Sequence, residues 1–254
     1  MGSAASVVHA RSAAQGEQSG ASSATARVAR RTLPPSHRPL FAVMAEIAEV
    51  PRSRAQRLAK RMIDVCGSLT ALVLLLPLFL VAMVAVKLSG PGPVFFVQDR
   101  CGRRCRLFRF YKLRTMVVDA EARKAELAHL NEVSGPAFKI KRDPRITCVG
   151  AMLRKLSLDE LPQLWNVLKG DMSLVGPRPP TRDEVERYTT RQAQRLAVTP
   201  GITGLWQVSG RNTITDFDRW IELDLRYARQ WSIWLDLLIL AKTPLEVLRM
   251  RGAV

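Results

Sequence analysis

Histidine is scarce in this chain of 254 residues, which holds only three. His9 and His37 lie in an Ala-, Ser- and Arg-rich N-terminal segment, so His129 alone falls in the part expected to fold. This scarcity argues against a Ser-His-Asp triad and against a multi-histidine zinc site. Acid–base or nucleophilic chemistry therefore falls to carboxylates, and a bound metal is expected to be a hard cation with oxygen ligands, such as Mg²⁺.

Cysteine is also infrequent, with Cys66, Cys101, Cys105 and Cys148 as the complete set. The spacing between Cys101 and Cys105 does not fit a zinc knuckle, and no second cysteine pair follows. We therefore expect all four to be reduced thiols that face the cytoplasm.

Acidic residues are outnumbered by 39 lysines and arginines to 22 aspartates and glutamates, a formal net charge of +17. Such a balance predicts anionic partners: nucleic acid, an acidic membrane surface or phosphorylated substrates. The total charge does not choose among the three.

Residues 1–50 lack helical or strand periodicity and are predicted to form a disordered tail. No apolar run follows the first basic residues, so a secretory signal is not indicated. The Arg- and Ser-rich, acid-poor start resembles a transit peptide in composition, but a plain flexible tail is favoured.

Residues 51–90 are predicted to form a basic anchor followed by a membrane helix. The run 65–86 carries no charge and matches the ~20 residues needed to cross a bilayer. Pro77 near its middle disfavours a straight helix, and basic residues flank both ends, including Lys60 and Arg61 before it. The positive-inside rule places both flanks on the cytoplasmic side, which favours a re-entrant helix bent at Pro77. A kinked transmembrane helix is the alternative that these residues leave open.

Residues 91–254 are predicted to form a membrane-associated domain on the cytoplasmic side, giving a mostly α, α+β fold overall. A Gly-Pro turn cluster precedes two short strands, 94–97 and 107–111, that could pair as a small β-hairpin. Helices are expected at 119–130, 151–156, 158–168 and through much of 217–248. Trp220, Tyr227, Trp231 and Trp234 in the last segment suit amphipathic interface helices, with burial in a core as the alternative.

The pair Asp159 and Glu160 is the strongest candidate for chemistry. Ser157 with Glu160 three residues later fits a capping box, in which case the acids serve only to start a helix. The functional alternative is that a helix N-terminus here binds phosphate and keeps a nucleophilic carboxylate ionised. Pro162 leaves open whether the helix starts there or kinks.

Several cations flank that pair in sequence. Arg178 lies in a stiff Gly- and Pro-rich loop, Arg211 ends a second Gly-punctuated stretch, and Lys112 and Arg114 are predicted to share one face of a strand. A solvated arginine in a structural turn is the plain alternative for each loop. Together these residues indicate a basic, phosphate-binding surface beside a membrane segment.

The chain resembles the bacterial sugar transferases, the monotopic phosphoglycosyl transferases that prime exopolysaccharide, O-antigen and other glycan assembly. The resemblance runs from about Lys60 to Gly252. It rests on an ordered series of blocks: Lys60-Arg61-x-x-Asp64, Gly92-Pro93-Val94-Phe95-Phe96, Lys112-x-Arg114-Thr115-Met116, Asp143-Pro144-Arg145-Ile146-Thr147, Ser157-Leu158-Asp159-Glu160-Leu161-Pro162-Gln163-Leu164, Asn166 to Ser173, Gly176-Pro177-Arg178-Pro179 and Pro200-Gly201-Ile202-Thr203-Gly204.

The resemblance implies a re-entrant helix and assigns Asp159 as the nucleophile that attacks the β-phosphate of a UDP-sugar. UMP would leave, and polyprenyl phosphate would collect the phosphosugar. Asp159 would also contact Mg²⁺, Glu160 would act as a base or positioning group, and Arg154 and Arg178 would bind phosphate. One departure is Leu76, where family members often carry serine before the proline, and Ser68 and Thr70 are too distant to replace it.

The implied partners are a UDP-sugar, polyprenyl phosphate and lipids of the bacterial inner membrane, with the active site facing the cytoplasm. Residues 1–50 cannot supply the multi-helix membrane domain of larger relatives, so a minimal form is expected. Nucleic acid is not expected, because no DNA-binding motif accompanies the charge, and a homo-oligomer is left open. The rival function is a non-catalytic, basic, membrane-anchored binding protein. No residue set identifies the hexose.

Overall fold

Helices dominate the computed structural model, which describes residues 39–210 and 214–248. The described residues contain two two-stranded sheets, one antiparallel and one parallel. The elements, in chain order, are α1 (Leu40–Ala45), α2 (Arg54–Leu88), β1 (Phe95–Cys101), β2 (Leu107–Leu113), α3 (Cys148–Lys155), α4 (Gln163–Lys169), β3 (Ser173–Val175), α5 (Arg182–Glu186), α6 (Thr190–Ala193), β4 (Gly201–Thr203), α7 (Leu205–Val208), α8 (Phe217–Gln230) and α9 (Ile233–Leu248).

The short helix α1 lies within the segment predicted to be disordered. Val43 and Ile47, one turn apart, are buried in the main core cluster, and Gln194 exchanges hydrogen bonds with the backbone that follows α1. The expectation of disorder through residue 50 is therefore wrong at α1, because a six-residue helix is too short to show a periodic pattern. The prediction for residues 1–38 lies outside the described residues.

Helix α2 is longer than the predicted apolar run, because it begins in the basic segment. Ser53 and Gln56 form a reciprocal capping box at its start, and the helix continues through Pro77 to Leu88. Pro77 therefore does not break the helix into two. Within the described residues, α2 alone is long and apolar enough to cross a membrane, and only 11% of its most apolar 18-residue window is buried.

The predicted β-hairpin is confirmed and extends further than expected. Strands β1 and β2 pair antiparallel over seven residues each, from Phe95 opposite Leu113 to Cys101 opposite Leu107. Phe108 and Phe110 alternate with exposed residues and bury their rings, as a half-buried strand requires.

Two of the predicted helices, 119–130 and 158–168, differ from the structure, and the second is divided into a 3₁₀ turn (Leu158–Glu160) and α4. Residues 119–130 form only two single turns of 3₁₀ helix, Ala122–Lys124 and Ala128–Leu130, with no buried residue in either. Without an apolar face to pack, helical propensity in so short a segment is insufficient. The prediction at 151–156 is confirmed by α3, which Thr147 caps.

The C-terminal pair α8 and α9 supports both interpretations of the aromatic residues. Trp220 and Tyr227 are buried, and Phe217 and Trp220 belong to the main core cluster. Trp234 on α9 is 80% exposed, and it shares that helix with several exposed leucines. Core packing therefore explains α8, whereas α9 presents the apolar surface expected of an interface helix.

The four cysteines are free, as predicted. Cys101 and Cys105 are buried, and burial raises the pKa of the Cys101 thiol to about 12 and that of Cys105 to about 11. Both thiols are therefore protonated at neutral pH.

Candidate active site

The acidic pair lies on a tight turn between α3 and α4. Ser157 adopts a left-handed backbone conformation (φ 54°) and makes no side-chain cap, so the structure excludes the capping-box alternative. Leu158–Glu160 form one 3₁₀ turn, and α4 begins only after Pro162, where the missing proline N–H costs no helical hydrogen bond. The carboxylates thus precede α4 rather than sit inside one longer helix.

Lys112 joins the two carboxylates. Its Nζ lies 3.2 Å from Oδ2 of Asp159 and 3.0 Å from Oε1 of Glu160. Asp159 is only 4% exposed, so an ammonium at this position offsets the repulsion between two adjacent anions in a partly desolvated site. Lys112 belongs to strand β2 and precedes Asp159 by 47 residues in the chain.

A cavity of about 400 Å³ opens over this cluster. Six of the predicted catalytic and phosphate-binding residues therefore share one space: Asp159, Glu160, Lys112, Arg114, Arg154 and Arg178. Basic and aromatic side chains continue the wall, including Lys139, Arg145, Phe138, Trp206 and Trp220.

The two arginines reach the cavity from different elements. Arg154, at the end of α3, donates from Nε to Oγ1 of Thr115 at 2.8 Å. Arg178, in the loop after β3, lies over the ring of Trp220 at 5.8 Å and has its Nη1 3.8 Å from Oε1 of Glu184. Side-chain contacts therefore orient both guanidinium groups.

Other predicted residues are engaged elsewhere. Arg114 lines the cavity, but its guanidinium donates to the carbonyl oxygen of Val86 in the last turn of α2 and to those of Gly90 and Pro91 just after that helix. Arg211 lies outside the described residues, and Pro77 belongs to the exposed middle of α2.

Two of the basic residues before the apolar run, Lys60 and Arg61, contact other parts of the protein. Arg61 donates to the carbonyl oxygens of Val167 and Leu168 at the end of α4, at 2.6 and 2.5 Å. Lys60 lies 2.7 Å from Oδ2 of Asp236 on α9. Both cations therefore attach α2 to α4 and α9.

Sequence reasoning missed several residues of the cavity. Asp143 and Arg145 form a buried pair at 2.6 Å. Burial raises the pKa of Asp143, but the hydrogen bonds and charge of Arg145 outweigh burial and lower it overall. Arg100 is also buried there, and burial, with the charge of Arg178 nearby, lowers its pKa to about 10. The sequence block Asp143-Pro144-Arg145 could have indicated this pair, because it places an acid and an arginine two residues apart.

The acidic pair fits a hard metal ion. Among the residues that the structure describes, no three His, Cys, Asp or Glu side chains form a metal-binding group. Mg²⁺ is, however, commonly bound by one or two carboxylates together with substrate phosphates. Asp159 and Glu160 at the cavity wall meet that requirement.

Comparison with known proteins assigns the family. The family described as bacterial sugar transferase matches residues 55–250. The chain is 51% identical over 198 residues to galactosyl transferase CpsE of Streptococcus agalactiae, covering 77% of this chain and 43% of that protein. It is 46% identical over 204 residues to the undecaprenyl-phosphate galactose phosphotransferase of Salmonella typhimurium, covering 79% of this chain and 42% of that protein.

A shorter relative matches almost throughout its length. The exopolysaccharide production protein ExoY of Rhizobium meliloti is 44% identical over 200 residues, covering 77% of this chain and 88% of that protein. The chain thus spans less than half the length of the first two relatives and most of the third. From these matches, this chain belongs to the bacterial sugar transferase family.

Proposed function

We propose that this protein transfers a sugar-1-phosphate from a UDP-sugar to polyprenyl (undecaprenyl) phosphate, giving polyprenyl-diphosphate sugar and UMP. This reaction would prime the assembly of an exopolysaccharide, O-antigen or capsule-type glycan. The observation that carries the proposal is the cavity in which Asp159 and Glu160 meet Lys112, Arg154 and Arg178. Family membership and the names of the relatives support it.

Asp159 serves as the nucleophile. Lys112 holds Oδ2, so Oδ1 attacks the β-phosphorus of the UDP-sugar while the bond from that phosphorus to the bridging oxygen breaks. The bridging oxygen leaves with UMP, and the phosphosugar stays on the aspartate. An oxygen of polyprenyl phosphate then attacks the same phosphorus and releases the carboxylate.

The cations bind the phosphate oxygens through both displacements. Arg154 and Arg178 offer planar donor groups that suit phosphate, and Lys112 keeps the acidic pair in place. Glu160 acts beside the nucleophile as a base or positioning group. Asp159 and Glu160 would hold Mg²⁺, which when bound supplies charge neutralisation at the diphosphate.

The test is a screen of UDP-sugars with purified full-length protein, polyprenyl phosphate and Mg²⁺, with UMP as the readout. UDP-galactose comes first, because two relatives carry galactose in their names. We expect UMP release that requires the sugar nucleotide and stops when EDTA removes the divalent ion. A protein that binds anionic lipid but releases no UMP with any UDP-sugar would be a non-catalytic anchor instead.

We further propose that α2 enters the inner membrane and returns to the same face, with the active site in the cytoplasm. Contacts at both ends of α2 support this. Near its start Arg61 binds the end of α4, and near its end Val86 accepts a hydrogen bond from Arg114, the residue after β2. Between them lies an exposed apolar segment, so one domain holds both ends of the stretch that would enter the bilayer.

Cysteine labelling in cells tests this topology. In a background with Cys66 and Cys148 replaced by serine, Arg54→Cys and Leu88→Cys each provide one exposed thiol at an end of α2. Re-entry predicts that an impermeant maleimide labels neither site in intact cells and both after permeabilisation. Labelling of one site alone in intact cells would show instead that α2 crosses the membrane.

A further inference from the structure

An ion pair is buried behind the cavity wall that carries Arg178. Arg195 and Asp224 are each 1% exposed, and Nη2 of Arg195 lies 2.6 Å from Oδ2 of Asp224. Neither residue lines the cavity. Both residues therefore act on a bound substrate from behind the wall, and their direct contacts are with residues of that wall.

Arg195 contacts the wall at the backbone of Arg178. Its Nη2 donates to the carbonyl oxygen of Arg178 at 3.0 Å, and its Nη1 donates to the hydroxyl of Tyr188 at 2.7 Å. Its guanidinium also lies 5.6 Å from the ring of Trp220, the same ring that Arg178 covers at 5.8 Å. Asp224 follows Trp220 by one turn of α8, so one helix face supplies both the ring and the counter-charge.

The loop that carries Arg178 depends on such external donors. Three of its four residues from 177 to 180 are prolines and lack a backbone N–H. Three consecutive carbonyl oxygens in it accept hydrogen bonds from elsewhere: that of Arg178 from Arg195, that of Pro179 from Arg100 at 3.0 Å, and that of Pro180 from the backbone N–H of Cys101 at 2.9 Å. The position of Arg178 is therefore set by groups outside the loop.

Stability alone does not account for the buried pair. Burial raises the pKa of Asp224 to about 6 even beside Arg195, so desolvation of this carboxyl opposes the attraction within the pair. Buried ion pairs of this kind are often no more stable than apolar residues of similar volume. Arginine nevertheless provides a planar fork that reaches three partners at once, which neither an apolar residue nor lysine can do.

We propose that Arg195, neutralised by Asp224, is a positioning residue that fixes Arg178 so that its guanidinium binds the diphosphate of the sugar nucleotide. This inference rests on the proposed function. Because Arg178 would act on substrate already in its ground state, misplacing it should weaken substrate binding more than it slows the chemical step.

The test replaces both partners with apolar residues. The variant Arg195→Met with Asp224→Leu leaves no unpaired buried charge, so we expect it to fold. KM for the active UDP-sugar should rise about tenfold, with kcat within about threefold of the wild type. Arg195→Lys is a second variant, which keeps a cation beside Asp224 but cannot reach all three partners, and its KM should also rise at least threefold.

A matched control removes a different buried pair. Lys60→Met with Asp236→Leu eliminates the ion pair between α2 and α9, which does not contact Arg178, so KM should stay at the wild-type value. An unchanged KM in both Arg195 variants would overturn the proposal, as would an equal rise in the control. Failure of the proposed function is a separate result, because the wild-type protein itself would then release no UMP.

A double-mutant cycle shows whether Arg195 acts through Arg178. Arg178→Ala should raise KM by itself, and adding Arg195→Met with Asp224→Leu should raise it no further, because the residue being positioned is already gone. If the combined variant instead raised KM by the product of the two separate factors, the positioning role would be overturned, and the Arg195 pair would have an effect independent of Arg178.

Discussion

Replacing Asp159 with asparagine should abolish UMP release and the phosphosugar-bearing enzyme together. The amide is nearly the same size as the carboxylate but is not a nucleophile at phosphorus, and it can no longer pair with Lys112. Loss of the nucleophile in another covalent enzyme costs about 10⁶ in kcat, so we expect a loss on the order of 10⁴ or more. Intact-mass spectrometry after mixing with the UDP-sugar alone measures the adduct.

The control for this variant is Asp183→Asn, the same chemical change at an exposed position of α5 that does not line the cavity. It should release UMP at the wild-type rate. Near-normal turnover by Asp159→Asn would remove Asp159 as the nucleophile. If Asp159→Asn lost turnover but still formed the phosphosugar adduct, Asp159 would be assigned to the second displacement instead.

The sequence predicted the elements whose patterns are local. The hairpin was predictable because a Gly-Pro turn cluster precedes two short strand-like runs, and α3 because residues 151–156 form a short basic stretch with helical character. Helix α1 was not, because its stability comes from burying Val43 and Ile47 against residues far along the chain. The helix predicted at 119–130 was wrong for the opposite reason. The composition of this segment favours a helix, but its two 3₁₀ turns bury no residue, so no packing stabilises a longer helix.

The site was predictable in its residues but not in their pairings. Asp159, Glu160, Lys112, Arg154 and Arg178 were chosen from motifs and charge, and they share one cavity. The bridge from Lys112 to both acids was not foreseen, because it joins residues 47 and 48 positions apart.

Local patterns also misled at this site. The capping-box pattern fits the sequence around the acidic pair, but the left-handed backbone at Ser157 prevents that cap. The buried ion pair of Arg195 and Asp224 was not predictable, because the sequence does not distinguish a buried charged residue from an exposed one.

Lys60→Met should be among the most destabilising substitutions in the chain. Asp236 is fully buried and accepts hydrogen bonds from the hydroxyl of Tyr227 at 2.8 Å and from Nε1 of Trp231 at 2.9 Å, but Lys60 supplies its positive charge at 2.7 Å. Removing one partner of a buried pair leaves the other charge uncompensated, which costs about 3–5 kcal/mol. The unfolding midpoint in detergent should fall by roughly 10 °C.

The same physics predicts a rescue. Adding Asp236→Leu to Lys60→Met removes the orphaned charge of Asp236, so the midpoint should recover part of the loss. Recovery is incomplete because the buried Asp64, whose Oδ1 lies 3.7 Å from Nζ of Lys60, still lacks its cation. Arg57→Met, one turn earlier on an exposed face of α2, is the matched control and should change the midpoint by less than about 2 °C. If Lys60→Met resembled Arg57→Met, the bond between Lys60 and Asp236 would not hold α2 to the domain. A destabilised single variant with a recovered double variant would show that the loss comes from the uncompensated charge of Asp236.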